Sequence, residues 1–409
     1  MNKIVAAAVA AAFIAPLAMA DVDLGPVKIY GSLRSAVEVI NVTPVAGTTV
    51  QDGQDSQTRL MDQTSKFGVK GDWKINDNIK AIGQLEARIY LGNSGDPLDG
   101  SKIGFGTRNT FIGLSGEKFG TVRLGRYDNQ YKLIKKNALG AFDDIMNDAS
   151  DPTNASNTIL GRMGGREGDS VSYETPRLAG FAGGLSYNFG KVDSTNATAS
   201  YKTTCVTVSN CTTTAVSSGD KINAPQFSAL LNYQSQYFDA GVAYTKLSDA
   251  YYDLTGSKLS AKKELTGKTG GESADALSIG ATGKFAGLHL SAVWERTNSN
   301  ANGVGLALDQ EQDSYGIQAL YNWGDFDFQA GFAKAGDVKN NLKGVDVANT
   351  GAKQYNAGVS YKVHKQVRVI ATYTKVDNES AATFASASGF ATAKGADVGT
   401  FAIGLRGDF

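Results

Sequence analysis

The sequence predicts an all-β chain folded as a transmembrane antiparallel up-and-down β-barrel of 16 strands. Three observations predict it. Apolar and polar residues alternate with a period of two, short and long connections alternate along the chain, and only the N-terminus has a long apolar run. In a strand, successive side chains point to opposite sides of the sheet, so this alternation gives one apolar and one polar face. Such a sheet suits a barrel whose outer face meets lipid and whose inner face meets water.

The alternation is clear in the first predicted strand, 27–40. One face is apolar, with members Val27, Ile29, Leu33, Val37 and Val39. The opposite face is polar or charged, with members Lys28, Tyr30, Ser32, Arg34 and Glu38. The pattern recurs at 80–90 and at 400–409, so strands of this type are predicted from the start of the chain to its end.

Connection lengths separate a membrane barrel from a soluble sandwich, because both architectures have one apolar face. The predicted strands are 27–40, 64–74, 78–90, 106–115, 120–127, 169–175, 181–189, 225–235, 237–247, 275–284, 288–297, 312–322, 325–335, 353–362, 366–377 and 399–409. Tight turns alternate with long polar segments at 41–63, 91–105, 128–168, 190–224, 248–274, 298–311, 336–352 and 378–398. All turns therefore lie at one end and all long loops at the other, and no helix is predicted.

The first 20 residues have the pattern of a cleaved signal peptide. Lys3 supplies a positive charge, a short apolar run follows, and Ala18-Met19-Ala20 matches a cleavage site. The run is too short for a membrane-spanning helix, which needs roughly 20 apolar residues. The sequence therefore predicts one β-barrel domain, 21–409, in an exported protein.

The composition argues against several other classes of function. Without Lys3, the 40 basic residues fall to 39 against 40 acidic ones, so no polyanionic partner such as nucleic acid is expected. The two histidines, His289 and His364, fall on a polar strand face and in a tight turn, where ordinary surface roles are expected. We therefore predict no enzymatic activity, no metal site and no cofactor.

Cys205 and Cys211 are the only cysteines. Export permits a disulfide between them, which would close the tip of a loop. A pair of free thiols is the alternative. A metal site is disfavoured because no histidine lies nearby and two thiolates leave the coordination incomplete.

Several motifs together carry a family resemblance. They are Ile29-Tyr30-Gly31, Ser65-Lys66-Phe67-Gly68-Val69-Lys70-Gly71, Phe119-Gly120-Thr121-Val122-Arg123-Leu124-Gly125-Arg126, Ser172-Tyr173-Glu174-Thr175-Pro176 and the terminal Phe409. With them the chain resembles Gram-negative trimeric porins of the Neisseria and β-proteobacterial type along its whole length. The resemblance implies a homotrimer embedded in outer-membrane lipid, with a third loop folded into the pore.

The third long segment, 128–168, has an unusual composition for a loop in water. Its apolar residues are Leu133, Ile134, Ala138, Leu139, Ala141, Phe142, Ile145 and Met146. A long apolar loop is expected to pack on something, and the inner face of the barrel is the available surface. This inference agrees with the loop insertion that the resemblance implies.

Charges on this loop and on the wall suggest a constriction. Asp143, Asp144, Asp148 and Asp151 lie on the loop, and Arg34, Lys66, Lys70, Arg88 and Arg123 lie on the lumen face of the early strands, with Arg126 where the wall meets the loop. An acidic loop facing a basic wall would impose a transverse field on passing ions. Alternatively, the charges simply pair and hold the loop in place. Arg108 shares the face of its predicted strand with the apolar residues Ile112 and Leu114. We therefore expect its side chain to lie in a loop or behind the inserted segment.

Two functions of different class remain open from the sequence. The first is a water-filled pore for passive diffusion of ions and small hydrophilic solutes, with a mild anion preference implied by the resemblance. The second is a structural or adhesive barrel that acts through its outer loops and has a closed lumen. The inward positions are mostly Ser, Thr, Gly, Asn and charged residues, which favours the open pore.

Overall fold

The computed structural model describes residues 25–44, 56–91, 106–142, 159–192, 201–207, 210–215, 222–249, 251–252, 254, 273–303, 306–341, 345–385 and 393–409. In the described residues, one antiparallel sheet of 19 strands closes on itself, and sixteen long strands form its wall. Numbered around the barrel, they are β1 (Val27–Thr43), β2 (Lys66–Asn76), β3 (Ile79–Arg88), β4 (Thr110–Gly116), β5 (Gly120–Asp128), β6 (Arg166–Glu174), β7 (Phe181–Asn188), β8 (Gln226–Gln234), β9 (Phe238–Ser248), β10 (Ser273–Phe285), β11 (Leu288–Gly303), β12 (Leu306–Trp323), β13 (Phe326–Ala335), β14 (Ala352–His364), β15 (Val367–Asn378) and β16 (Asp397–Asp408).

The sheet closes where the two ends of the chain meet. β16 pairs with β1 in twelve consecutive register positions, from Ser32 opposite Asp408 to Thr43 opposite Asp397. Beyond them, the amide of Gly31 donates to the carbonyl of Phe409 at 2.8 Å, and the amide of Phe409 donates to the carbonyl of Gly31 at 3.1 Å. In a membrane every backbone polar group needs a partner, so a closed sheet is the form in which strands can span it.

The sixteen predicted strands are confirmed in their order, but one predicted loop is wrong. Residues 298–303 and 306–311 continue β11 and β12 as a long hairpin, with Ser299 opposite Gln310. On its outer face Arg296 binds Asp313 through two bonds of 2.9 Å. Polar composition suggested a loop here, but a strand that extends into water can be polar on both faces. Shorter strands at Gln57–Asp62, Val338–Asn340 and Val345–Val347 also lie within predicted loops.

The two faces of the wall differ as the alternation predicts. Outward side chains are apolar and exposed, as for Leu405 at 60% and Ile403 at 50%. Aromatic residues gather near the short-turn end, where the ring centroids of Phe326 and Tyr361 lie 4.7 Å apart. Such aromatic girdles are typical at the membrane–water interface of outer-membrane barrels. The inward residues are polar, apart from an apolar patch described below.

The prediction that the chain has no helix is wrong. Helix α1 (Gln130–Ala138) follows β5, and a 3₁₀ turn follows it at Gly140–Phe142. Asn129 caps α1, because its side-chain oxygen accepts a 2.9 Å bond from the amide of Lys132. None of the helices in the described ranges is long and apolar enough to cross a membrane.

The hydrophobic core lies inside the barrel rather than between two layers. It joins α1 and the residues that follow it to the inner face of the wall. Its members from α1 and the following residues are Tyr131, Leu133, Ile134, Ala138, Leu139, Phe142, Ile159, Leu160 and Met163. The wall contributes mainly small or aliphatic residues, among them Leu230, Ala243, Ala276, Val293 and Ala333. This packing positions the candidate site.

Two adjacent residues of β3 test the assignment of faces. Leu85 points outward and Gln84 inward, where Gln84 donates to the Tyr30 hydroxyl at 2.8 Å. We expect Leu85→Arg to lower the free energy of unfolding from a bilayer by about 2–4 kcal/mol, because an arginine on the lipid face near the midplane costs that much. Gln84→Arg, at the same depth, should cost clearly less. Denaturant titration in liposomes measures both, and equal losses would contradict the assignment.

Candidate functional site

The inserted segment, here residues 129–142 and 159–165, packs along the inner face of β7 to β13. Tyr131, Ala138 and Phe142 in this segment have at most 1% of their surface exposed. Burial of such side chains contributes on the order of 1–3 kcal/mol each, so the segment is firmly held against the wall. The lumen is thus lined on one side by wall strands and on the other by this segment.

Inward-facing glycines let the inserted segment approach the wall closely. A Cβ atom at Gly241 would lie 2.8 Å from Cβ of Ala138, and one at Gly280 would lie 2.5 Å from Cδ2 of Leu139. A Cβ at Gly316 would lie 2.6 Å from Cδ1 of Leu160. These glycines are in β9, β10 and β12, so three strands leave room for the same segment.

The inserted segment has two described limbs, residues 129–142 and residues 159–165. Glu295 of β11 ties both limbs to the wall. Its Oε2 accepts a 2.5 Å bond from the Tyr131 hydroxyl and a 2.8 Å bond from the amide of Gly161. Burial, together with the neighbouring Glu295 carboxylate, raises the pKa of Tyr131 well above its ordinary value. The hydroxyl therefore stays protonated and remains a donor to Glu295.

Hydroxyl and amide side chains of the wall bind backbone groups at the end of α1 and in the 3₁₀ turn that follows it. Thr282 accepts from the amide of Gly140 at 3.0 Å and donates to the carbonyl of Ala138 at 2.8 Å. Ser291 accepts from the amide of Ala141, and Gln329 donates to the carbonyl of that same residue, both at 3.0 Å. The carbonyl of Ala138, the last residue of α1, thus has a partner on the wall.

Three of the predicted wall cations form ion pairs with carboxylates. Lys66 lies 3.7 Å from Glu86, Arg88 lies 3.0 Å from Asp62, and Arg123 lies 2.9 Å from Glu174. Glu86 and Glu174 belong to the wall, and Asp62 belongs to the strand at 57–62.

The other three predicted cations also lie on the lumen side. Arg34 is almost fully buried, and its Nε donates to Ser32 Oγ at 2.9 Å. Lys70 is exposed, with its Nζ 5.0 Å from the centroid of the Tyr30 ring. Arg126 lies where β5 meets the inserted segment, opposite Thr110 in the register.

The predicted acidic side of the constriction lies outside the described residues, since Asp143, Asp144, Asp148 and Asp151 are not among them. The described helix instead carries Lys132, Lys135 and Lys136, and its sequence contains no acidic residue. Lys132 pairs with Asp128 at 2.9 Å, and the Lys136 side chain is exposed.

The disulfide stays a prediction. Cys205 and Cys211 are directly opposite each other in a two-stranded hairpin, Tyr201–Thr207 and Asn210–Ala215. The side chains of this hairpin lie outside the described residues.

Arg108 lies in the loop that precedes β4, which is one of the two positions expected for it. Arg108 contacts the wall directly, with its Nε 2.6 Å from Glu86 Oε1. Gly113 lies opposite Arg123 on the inner face. Gly83 pairs with Ile112 and not with Gly113, so Gly83 lies on the outer face.

A closed barrel with a polar inner wall and an inserted segment defines the class of transmembrane β-barrel channels. Within this class the chain belongs to the Gram-negative porin family, whose model matches residues 6–381. It is 27% identical over 382 residues to the major outer membrane protein P.IA of Neisseria meningitidis serogroup C, covering 86% of this chain and 88% of that protein. It is also 32% identical over 172 residues to protein P.IB of Neisseria sicca, covering 42% of each.

Solved structures show the same fold at low sequence identity. The anion-selective porin from Comamonas acidovorans superposes with a TM-score of 0.65 at 20% identity, over 94% of this chain and 99% of that one. OmpF of Salmonella typhi, in a complex with daunomycin, superposes with a TM-score of 0.57 at 16% identity, over 94% and 97%. At these identities the likeness concerns the fold.

Gly241→Ala tests the close approach of α1 to the wall. The added methyl group would collide with Ala138, so we expect the helix to move into the lumen, the single-channel conductance to fall, and stability to drop by about 1–3 kcal/mol from overpacking. Gly283→Ala is the matched control, because a Cβ at Gly283 finds nothing within 4 Å. Unchanged conductance in Gly241→Ala would refute the proposed contact.

Glu295→Ala tests the tie between the wall and both limbs. It leaves the Tyr131 hydroxyl and the Gly161 amide without their acceptor, at a cost of about 1–3 kcal/mol for each buried group left unsatisfied. We expect increased current noise in single-channel recordings as the inserted segment loosens. Glu295→Gln keeps one oxygen acceptor and should be milder. If the current noise of Glu295→Ala equals that of the wild type, this role of Glu295 is contradicted.

Proposed function

We propose that this porin is a water-filled channel for passive diffusion of ions and small hydrophilic solutes that favours anions. Membership of the Gram-negative porin family establishes an outer-membrane channel for passive diffusion. The preference for anions goes further and is argued below from the charges of the lumen.

Polar inward residues support an open lumen. Beyond the patch covered by the inserted segment, the inner wall presents polar residues that are partly or fully exposed, such as Lys66, Lys70 and Gln84. A barrel of sixteen strands leaves an aqueous channel unless something fills it, and the described part of the inserted segment lies along one side. A closed adhesive barrel would need apolar packing across the whole interior.

The observation that carries the anion preference is the charge of the lumen helix. Carboxylates of the early strands, such as Glu86 and Glu174, are engaged by neighbouring cations. The helix α1 carries three lysines and no carboxylate; Lys132 pairs with Asp128, whereas the side chain of Lys136 is exposed. An excess of fixed positive charge in a narrow lumen raises the local concentration of anions.

The assembly expected from the family belongs to the same proposal. We propose a homotrimer embedded in outer-membrane lipid, exported by a signal peptide at 1–20. The exposed apolar belt of outward residues supports contact with lipid. Small outward residues such as Gly83 would allow a neighbouring subunit to approach closely.

Reversal potentials across a KCl gradient in planar bilayers test the anion preference. We expect the wild type to favour chloride, and Lys136→Gln and Lys70→Gln each to shift the reversal potential towards cation preference, because each removes an exposed lumen charge. Lys118→Gln, in the exposed turn between β4 and β5, makes the same charge change as a control. A cation-selective wild type would refute the preference, and folded protein without channels would favour the closed barrel.

A further inference from the structure

A line of charged residues follows the apolar belt on the outer face of β9 to β15, on the long-loop side. On each of these strands an outward apolar or aromatic residue is followed, two positions nearer the long loop, by an outward charged residue. The apolar and aromatic members are Tyr244, Leu277, Trp294, Tyr315, Phe332, Tyr355 and Tyr373, and the charged members are Lys246, Asp275, Arg296, Asp313, Lys334, Lys353 and Lys375. Aromatic residues concentrate at the membrane–water interface, so these charged members, here called the charged edge, lie at the headgroups of the outer leaflet.

Along β9 to β12 the charged edge alternates in sign and neutralises itself. Lys246 lies directly opposite Asp275 in the register. Arg296 donates to both carboxylate oxygens of Asp313, with each bond 2.9 Å long. Opposite charges placed in this way stabilise neighbouring strands. This part of the edge therefore needs no further partner.

The alternation of sign ends on β13, β14 and β15, where the charged edge has three lysines in succession. Lys334 and Lys353, here called the lysine pair, lie directly opposite each other, and both are exposed. Within the described residues neither forms a hydrogen bond or an ion pair. Lys375 binds Asp377 at 2.6 Å. Asp377 is also the register partner of Lys353, so three lysines share one carboxylate.

The neighbouring loops do not remove this excess of positive charge. In the loop between β13 and β14, Asp337 accepts from two backbone amides of its own loop, and Asp346 lies opposite Lys339 in a short ladder. The adjoining residues outside the described ranges, 342–344 and 386–392, contain no aspartate or glutamate in their sequence. Like charges directly opposite each other destabilise a sheet. An anion from outside the chain would relieve that repulsion at the lysine pair.

Two aromatic rings lie next to the lysine pair on the same strands. Phe332 and Tyr355 are each two positions nearer the short turns, and their ring centroids lie 5.2 Å apart. Rings at this level contact the upper part of lipid acyl chains, and long lysine stems carry their ammonium groups up to the headgroups. An ammonium group binds phosphate as a point charge with three N–H donors. A lipid can therefore place its phosphate on the pair and its chains on the rings, whereas free phosphate gains only the first contact.

We propose that the lysine pair binds the phosphate headgroup of an anionic lipid in the outer leaflet, with the acyl chains of that lipid against Phe332 and Tyr355. This inference goes beyond the proposed function, because it concerns the outer face of the wall and requires neither an open lumen nor an anion preference. The phosphate lies between the two ammonium groups and offsets the charge that the single carboxylate of Asp377 leaves.

Native mass spectrometry of the folded full chain in detergent micelles, titrated with dioleoyl phosphatidic acid, tests the site. We expect one lipid per chain to bind more tightly than the rest, and dioleoyl phosphatidylcholine, which has no net charge, to show no such tight step. Lys334→Gln and Lys353→Gln should each raise the dissociation constant of the first phosphatidic acid about fivefold, and both together about 25-fold, since each lysine near a membrane surface contributes about that factor.

Lys246→Gln is the matched control, because it removes one outward positive charge from the same edge at a position that faces Asp275. The first dissociation constant of this variant should equal that of the wild type. A fivefold rise here as well would overturn the site, and so would equal binding of the two lipids by the wild type. Inorganic phosphate at a tenfold excess over the lipid should leave the lipid bound. Displacement would show that the pair recognises phosphate alone, which would overturn the lipid as its ligand.

The same spectra report the number of chains in each complex, so they also detect a protein partner at this face. Fewer chains per complex in the double glutamine variant, with lipid affinity unchanged, would make the pair a contact between copies and overturn the proposal. The variant with both Lys334→Arg and Lys353→Arg covers the case in which the glutamine variants fail to fold. It keeps both charges and should bind the first lipid at least as tightly as the wild type, so a loss of binding would contradict the site.

Discussion

Pairing between the first and last strands is the constraint on which the rest of this structure depends. A sheet in lipid cannot leave amide and carbonyl groups without partners, and joining β1 to β16 removes the two edges that an open sheet would have. Closure also fixes the register around the wall. That register places Arg34, Arg406 and Arg368 side by side and decides which residues face the lumen. The charges of the pore are therefore consequences of how the sheet closes.

Within this wall, the inserted segment meets conditions usually found in the core of a soluble protein. Its apolar side chains are buried against small wall residues, and its polar backbone groups are met by Thr282, Ser291 and Gln329. These contacts hold the described part of the segment against the wall as a fixed part of the channel. The lumen is therefore asymmetric. The inserted segment covers the inner face of β7 to β13, whereas charged side chains line the inner face of the early strands.

The strands could be predicted from the sequence because face parity is a local property, readable from neighbours two residues apart. Helix α1 could have been found as well, since Tyr131, Ile134 and Ala138 follow helical spacing after the capping residue Asn129. The contact between Tyr131 and Glu295 could not, because 164 residues separate them and no local pattern specifies where a loop docks. Arg88 was recognised as a lumen residue for the same local reason, but its partner Asp62 depends on the fold of another loop.

The seam at the two chain termini has a consequence for the order of assembly. Gly31 and Phe409 exchange two backbone hydrogen bonds, although almost the whole chain lies between them. Pairings of such large sequence separation form slowly, because the loop-closure entropy must be overcome first. The wall therefore cannot be completed strand by strand as the polypeptide emerges. Until β16 pairs with β1, the sheet has two unpaired edges. Such edges can pair with other copies of the chain and aggregate, so the unclosed chain needs protection on its way to the membrane.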